Sequence, residues 1–303
     1  MTTKMNRIVL GLLVVVLLLP LGLTGCKSKP ALGTKDNPII LSMVPSGDTE
    51  KVLAGGDAVA KLLSDSTGYV IKANVPTSYS AVIEALGTGK AHMAALATFA
   101  YLQAHQKYGV EVVLVATRYG TPYYKGEIIA GANTGIKSIA DIKGKKMCWV
   151  DASSTSGYIV PRVMLKAAGV DPDKDLAQQV EAGSHNNVVL SVYRGDCDCG
   201  ATYVDARGNI EKDFPDVKTK VVVIAESAEI PNDGLQFVKD FPKDMKAKIV
   251  QAFIDMMKTD AGKAAMKDSY QWSDVIEKDD SFYDGFRQTL DAAGVKIEEL
   301  APK

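Results

Sequence analysis

The chain has 303 residues, 47% of them hydrophobic and 23% charged, which excludes a disordered or fibrous protein. Its 35 basic and 36 acidic residues leave a net charge of −1, so no broad field draws nucleic acid, and any anion must be captured by local geometry. The three histidines lack metal-ligand spacing, and neither a metal nor a cofactor is expected.

The first segment reads as an export signal. Lys4 and Arg7 precede an almost wholly apolar run from Ile8 to Leu19, which closes on Leu23, Thr24, Gly25 and Cys26. Gly11, Pro20 and Gly22 interrupt the apolar stretch, and it falls short of the ~20 residues a membrane span needs. Its last four residues resemble the lipobox of bacterial lipoproteins. That resemblance implies cleavage before Cys26, lipidation of its sulfur, and a mature protein anchored on the extracytoplasmic face of the cell membrane, in a periplasm or at the cell surface. Residues 1–25 are then a signal peptide and 26–37 a polar tether outside any core.

From residue 38 the length suits two ordinary domains. Residues 38–46 predict a strand and 48–68 an amphipathic helix. A strand at 69–76, a helix at 78–90, a strand at 91–98, a helix at 99–109 and a strand at 110–120 complete a first block. A second block follows, with strands at 127–133, 145–151, 178–183, 197–204 and 218–227 and helical segments at 138–144, 157–169 and 186–195. Short apolar strands alternating with helices predict largely parallel sheets covered on both faces. The tail from residue 242 reads as helical, with Ile249, Phe253 and Met256 or Met257 at helical spacing. If this tail returns to the first block, the chain crosses between blocks twice, near 122–127 and 226–234, where the composition is hinge-like. The divisions expected are 38–124 plus 230–303 for one domain and 125–229 for an inserted second. Two such α/β domains face each other across a cleft at their strands' carboxyl ends.

The stretch DASSTSGYIV (151–160) sits between a predicted strand and a predicted helix. The first amides of a helix have no internal partner and carry partial positive charge, so an anion can bind there without a lysine or arginine. Ser154, Thr155 and Ser156 add hydroxyl donors, and Gly157 permits close backbone approach. Capping alone needs one hydroxyl, and serine-rich turns are common, so the run by itself leaves capping and anion binding both open.

The run resembles the serine-threonine-serine-glycine signature of the phosphate, phosphite and phosphonate binding proteins that serve ABC importers. SYSAVIEALGTGKAHMAALATFAYLQA, SIADIKGKKMCWVDASSTSGY, GSHNNVVLSVYRGDCDCGATYVDAR and VVVIAESAEIPNDG extend the likeness over nearly everything from residue 38 to about 295. The resemblance implies a type II periplasmic-binding-protein fold: two doubly wound α/β domains around a ligand cleft, joined by a two-stranded hinge. It also implies that Ser154, Thr155 and Ser156 hold the oxygens of a small phosphorus oxyanion, with Tyr79 and Tyr101 from the opposite domain and His185 and Asp205 completing the cage. Tyrosines are equally core or rim residues, a histidine at a strand-to-helix turn is often a cap, and an aspartate after a strand is often a turn residue. Were Asp205 buried, its acceptor-only carboxylate would favour a ligand keeping a P–OH proton and reject sulfate. The implied partners are the oxyanion, ABC permease subunits and the membrane through the lipid anchor, with a monomer expected.

Lipidation of Cys26 leaves Cys148, Cys197 and Cys199, hence at most one disulfide. Cys148 could pair with either of the others, while Cys197 and Cys199 are too close in sequence to bridge easily. An arsenite site built from thiolates 197 and 199 near His185 is the rival ligand reading, and a ligand sensor of the same fold the rival role. An enzyme is not expected. No G-x-S-x-G elbow surrounds the serines, and GANTGIKS (131–138) fails the P-loop pattern. His92 and His105 read as solvent-facing.

Overall fold

The computed structural model describes residues 30–300; the export signal, Cys26 and the first residues of the expected tether lie outside the described residues. The described chain begins β1 (Ile39–Met43), α1 (Thr49–Thr67), β2 (Ile71–Asn74), α2 (Tyr79–Gly87), β3 (Met93–Leu96), α3 (Thr98–Tyr108) and β4 (Glu111–Thr117). It crosses into β5 (Tyr123–Gly131), β6 (Lys146–Trp149), α4 (Val160–Ala167), β7 (Gln178–Glu181), α5 (His185–Arg194), β8 (Cys199–Tyr203), α6 (Val217–Lys220) and β9 (Val221–Pro231). It then returns as β10 (Gly234–Phe237), α7 (Lys243–Met256), α8 (Asp260–Tyr270), β11 (Asp274–Glu277) and α9 (Asp284–Ala292). Two sheets result, with strand orders β11-β4-β10-β3-β1-β2 and β7-β6-β8-β5-β9.

The βαβ parts are parallel as expected: β2, β1 and β3 in the first sheet, β7, β6 and β8 in the second. Their continuous apolar runs fit strands covered on both faces, and all of β3 is buried. α1 shows how local signals set an element. Asp48 caps it by accepting from the Lys51 amide at 3.0 Å, Val52, Val59 and Leu63 are buried at helical spacing, and Gly68 ends it with φ +75°. Removing such a cap costs about 1 kcal/mol.

The return differs from the helical tail expected from residue 242 in two places, one strand ahead of it and one within it. Ile249, Phe253 and Met256 are buried on α7 as their spacing predicts, but β10 and β11 are strands that pair antiparallel within the first sheet. β10 wedges between β3 and β4. Its Gln236 is a polar residue in mid-sheet, satisfied because its Oε1 accepts from the Leu96 amide at 2.9 Å. The two crossings are the paired strands that the resemblance implies. Both are strand, and β5 pairs with β9 from Tyr123 opposite Pro231 to Gly131 opposite Val221. The passages between sheets shrink to residues 118–122 and 232–233.

Residues 31–37 are not a free tether. Leu32 packs on the core, and the Gly33 carbonyl accepts from the Val70 amide at 2.7 Å. His92 and His105 are half-buried: His92 Nδ1 accepts from the Ile40 amide at 3.0 Å, and His105 Nδ1 lies 2.8 Å from the Val110 carbonyl.

Cys148 on β6 forms a disulfide with Cys197, their Cα atoms 5.9 Å apart. Cys199 is free and buried, its thiol pushed up to about 12 mainly by burial. The pairing left open by the sequence is thereby fixed. The arsenite reading fails, because one sulfur of the required pair is already bonded and the other holds its proton.

Candidate functional site

A cleft of about 1590 Å³ takes its walls from residues of both sheets' halves. It lies beyond the carboxyl ends of the parallel strands, the place open α/β sheets reserve for ligands. Ser154, Thr155, Ser156, Tyr79, His185 and Asp205 all line it; Tyr101 does not.

The hydroxyl run follows β6 and enters α4 through one π turn, Thr155–Ile159. The wide turn has a local cause. Pro161 has no amide to give the Gly157 carbonyl, and that carbonyl instead accepts from Val150 at 3.1 Å. Gly157 is needed for this approach, since a Cβ there would stand 2.3 Å from Val150 Cγ2. The glycine's close contact is thus with the end of β6 and not with a ligand. Ser154 Oγ caps the turn by accepting from Gly157 N at 3.2 Å. The Thr155 and Ser156 amides, on residues 0% and 2% exposed, find no protein acceptor among the described residues. These amides and the hydroxyls beside them are the donors the sequence motif points to.

Several hydrogen bonds join residues of the two halves beside the cleft. Thr155 Oγ1 accepts from the Phe99 amide at 2.8 Å, so a residue of the second half caps α3 of the first, where Ala97 offers no side-chain cap. Asp151 Oδ2 accepts from the Tyr79 amide at 3.1 Å while its Oδ1 accepts from Ser153 N at 2.7 Å. Burial raises the Asp151 pKa, and these two bonds oppose the rise. The His185 amide donates to the Ser46 carbonyl at 2.9 Å, and Gln271 Nε2 donates to Asn209 Oδ1 at 2.7 Å.

His185 is 4% exposed, with Nδ1 2.8 Å from Thr202 Oγ1 and its ring edge-on to Tyr203. Burial, with Arg118 adding to it, pushes its pKa down to about 3, so the ring is neutral at pH 7 and Nε2 is the nitrogen left for a ligand. The Tyr79 phenol is buried, and burial together with the Asp151 charge keeps it protonated as a donor.

Tyr101 lies outside the expected cage, and Asp205 lines the cleft without the burial that the sulfate filter needs. The Tyr101 ring is fully buried against Tyr283, and its hydroxyl donates to Asp280 Oδ1 at 2.6 Å. It therefore ties α3 to the return segment, while α3 presents its amino end, Ala97 and the Phe99 amide, toward the cleft. Asp205 stands at the rim, exposed, in the left-handed conformation at φ +70°. A solvated carboxylate there cannot act as the desolvated acceptor that rejection of sulfate requires.

The sequence reading also missed cleft residues. Arg118 follows β4 at its carboxyl end and pairs with Asp233 just before β10. Tyr124, beside the Ser156 and Thr155 hydroxyls, and Tyr203 complete that wall. The position of Arg118 at a strand's carboxyl end was the available signal. Asp233 had none, because the strand that places it was not foreseen.

Residues 41–283 match the family model described as ABC transporter, phosphonate, periplasmic substrate-binding protein. The phosphate-import protein PhnD of Mycolicibacterium smegmatis is 28% identical over 277 residues, 84% of this chain and 86% of that protein. The phosphonates-binding periplasmic protein of Escherichia coli is 23% identical over 205 residues, 66% of this chain and 60% of its own length. In fold, the chain resembles a binding component of an ABC phosphonate transporter from Pseudomonas aeruginosa, with a TM-score of 0.77, 22% identity, and 86% and 96% of the two chains covered. It also resembles PhnD1 of Prochlorococcus marinus in complex with methylphosphonate, with a TM-score of 0.76, 17% identity, and 85% and 98% covered. The fold is that of type II periplasmic binding proteins, and the chain belongs to the family of extracytoplasmic substrate-binding proteins of ABC phosphonate transporters, transport components and not enzymes.

Proposed function

We propose that the cleft captures a small phosphorus oxyanion, namely a phosphonate, phosphite or phosphate, and that the protein delivers it to ABC permease subunits. The observation that carries this reading is the buried cradle at the start of α4, where the Thr155 and Ser156 amides meet three hydroxyls inside a cleft built from both halves. His185 and Tyr79 add neutral donors to the cage. Residues 38–124 plus 230–303 and residues 125–229 move as two bodies about the paired ends of β5 and β9. The ligand favours the closed form because only there do both bodies touch it. Cys26 carries the lipid that holds a monomer at the membrane; labelling with a radioactive fatty acid, lost in Cys26→Ser, tests the anchor.

Thermal unfolding of the soluble body against phosphite, methylphosphonate, phosphate and sulfate tests the ligand class. A ligand at a hundred times its Kd stabilises by about 2.7 kcal/mol, a clear shift in Tm. If none of the phosphorus oxyanions moves the melting curve, the reading is wrong.

A further inference from the structure

The first sheet gives the first half two unlike ends. β1, β2 and β3 are parallel, so their amino ends lie together, with Ile39 opposite Ile71 and Leu41 opposite Met93. β10 runs antiparallel, and its carboxyl end joins them, Phe237 lying opposite Met93 and Glu111. The cleft lies at the other end, where Val44, Ala97 and Arg118 follow β1, β3 and β4.

The chain enters at the end away from the cleft. Leu32 packs on the core there, and a Cβ on Gly33 would stand 3.1 Å from both Met245 Cε and Tyr69 Cδ1. From Cys26 to Leu32 the backbone reaches at most about 20 Å, roughly half of what a tether through residue 37 would allow.

This end is also basic. Lys35, Lys72, Lys90, Lys239, Lys243 and Lys248 are exposed and have no ion pair among the described residues. Lys239 lies beside Gly109, and Lys248 stands over the Tyr69 ring at 5.2 Å. Glu84 and Glu111 are taken up by Lys107 and Lys246 at 2.8 and 2.6 Å, which leaves Asp36, Asp240 and Asp244 as the exposed acids without an ion pair. Positive charge is thus in excess here, on a chain whose net charge is −1.

We infer that this end of the first half is a membrane seat: its lysines rest on anionic phospholipid head groups, and the cleft at the opposite end is left facing the solute. The inference rests on the lipid-anchor reading of Cys26 and adds what the body does once anchored. The pull of such a surface on lysine fades within about 10 Å. The short reach of the chain holds this end near that range, and the anchor raises the effective concentration of the surface, so a modest excess of charge suffices to orient the body.

The test uses the full lipidated chain on vesicles of phosphatidylcholine, with or without phosphatidylglycerol, and follows acetylation of each lysine by mass spectrometry. On the anionic vesicles Lys35, Lys90, Lys239 and Lys243 should react about threefold or more slowly than on the neutral ones, while Lys166 on α4 should not change. In about 1 M salt, where the field reaches about 3 Å, the difference should vanish. Lys239→Glu with Lys243→Glu, both at exposed positions, should abolish the protection of Lys35 and Lys90 and leave the melting curve in place. Equal labelling on the two vesicles, equal protection of Lys166, or protection that survives the double substitution overturns the inference. Protection on both vesicles that grows with protein density points to a second copy of the chain on this end and overturns it too. A chain that takes up no fatty acid defeats the anchor reading, and the seat with it.

Discussion

Glu127, on β5, is the acid for which the fold has done least. Its side chain is 2% exposed, and the nearest cation, Arg207 Nε, is 3.8 Å from its Oε1. Neither of those two atoms has a hydrogen-bond partner among the described residues. Burial lifts the carboxyl from its ordinary 4.5 to about 7, against the pull of Arg207 and with Asp205 and Glu226 adding to the rise. At about 1.4 kcal/mol per pH unit the displacement amounts to roughly 3 kcal/mol. Between pH 4.5 and 7 the folded protein keeps a proton that the unfolded chain has released, so stability falls as pH rises through that window. Glu127→Gln removes this slope. It should match the wild type near pH 4 and exceed it by roughly 3 kcal/mol at pH 8. His185 gives the opposite trend: its pKa of about 3 means that the unfolded chain alone takes the proton below about 6.5, so stability falls toward acid. That trend is common to both proteins and cancels in their difference. Urea unfolding followed by tryptophan fluorescence at pH 4.5, 6, 7 and 8 measures the difference directly. A difference that does not change with pH would refute the reasoning.

Three further perturbations test other parts of the molecule. The disulfide closes a loop of 49 residues, and Cys148→Ala with Cys197→Ala should cost about 2–4 kcal/mol in chemical unfolding, whereas Cys199→Ala should leave the melt as sensitive to reductant as that of the wild type. Thr155→Val strips the acceptor from the Phe99 amide and should cost about 1–3 kcal/mol of stability and weaken oxyanion binding in calorimetric titration. Tyr101→Phe should lose about 1.5 kcal/mol in urea unfolding, the hydrogen bond to charged Asp280, yet bind ligand with wild-type affinity because the ring lies outside the cleft.

The parts of the fold readable from sequence were those whose cause is local. The βαβ alternation, the cap of α1 and the placing of Ser154 and His185 at strand ends follow from periodicity and turn chemistry within a few residues. β10 and β11 were not readable because each is four residues long and owes its conformation to neighbours far along the chain. Gln236 even argues against a strand until the Leu96 amide is beside it. In the site, the hydroxyl run was legible and the charged pair was not. Arg118 and Asp233 meet across 115 positions, through a strand order that no spacing rule predicts. Tyr101 failed for a related reason. On α3 the helical register that buries it is plain, but which buried neighbour its hydroxyl meets depends on where the tail returns.

The capping of α3 by Thr155 has a kinetic corollary. Phe99 exchanges a protein acceptor for water whenever the halves part, as do Tyr79, His185 and Gln271, and each such bond is worth only about 1 kcal/mol net. On the two-body motion proposed above, their sum favours the shut form before any solute arrives, and entry then waits on spontaneous parting. The observed rate of capture should then level off with rising solute concentration, at the frequency with which these small fastenings release together.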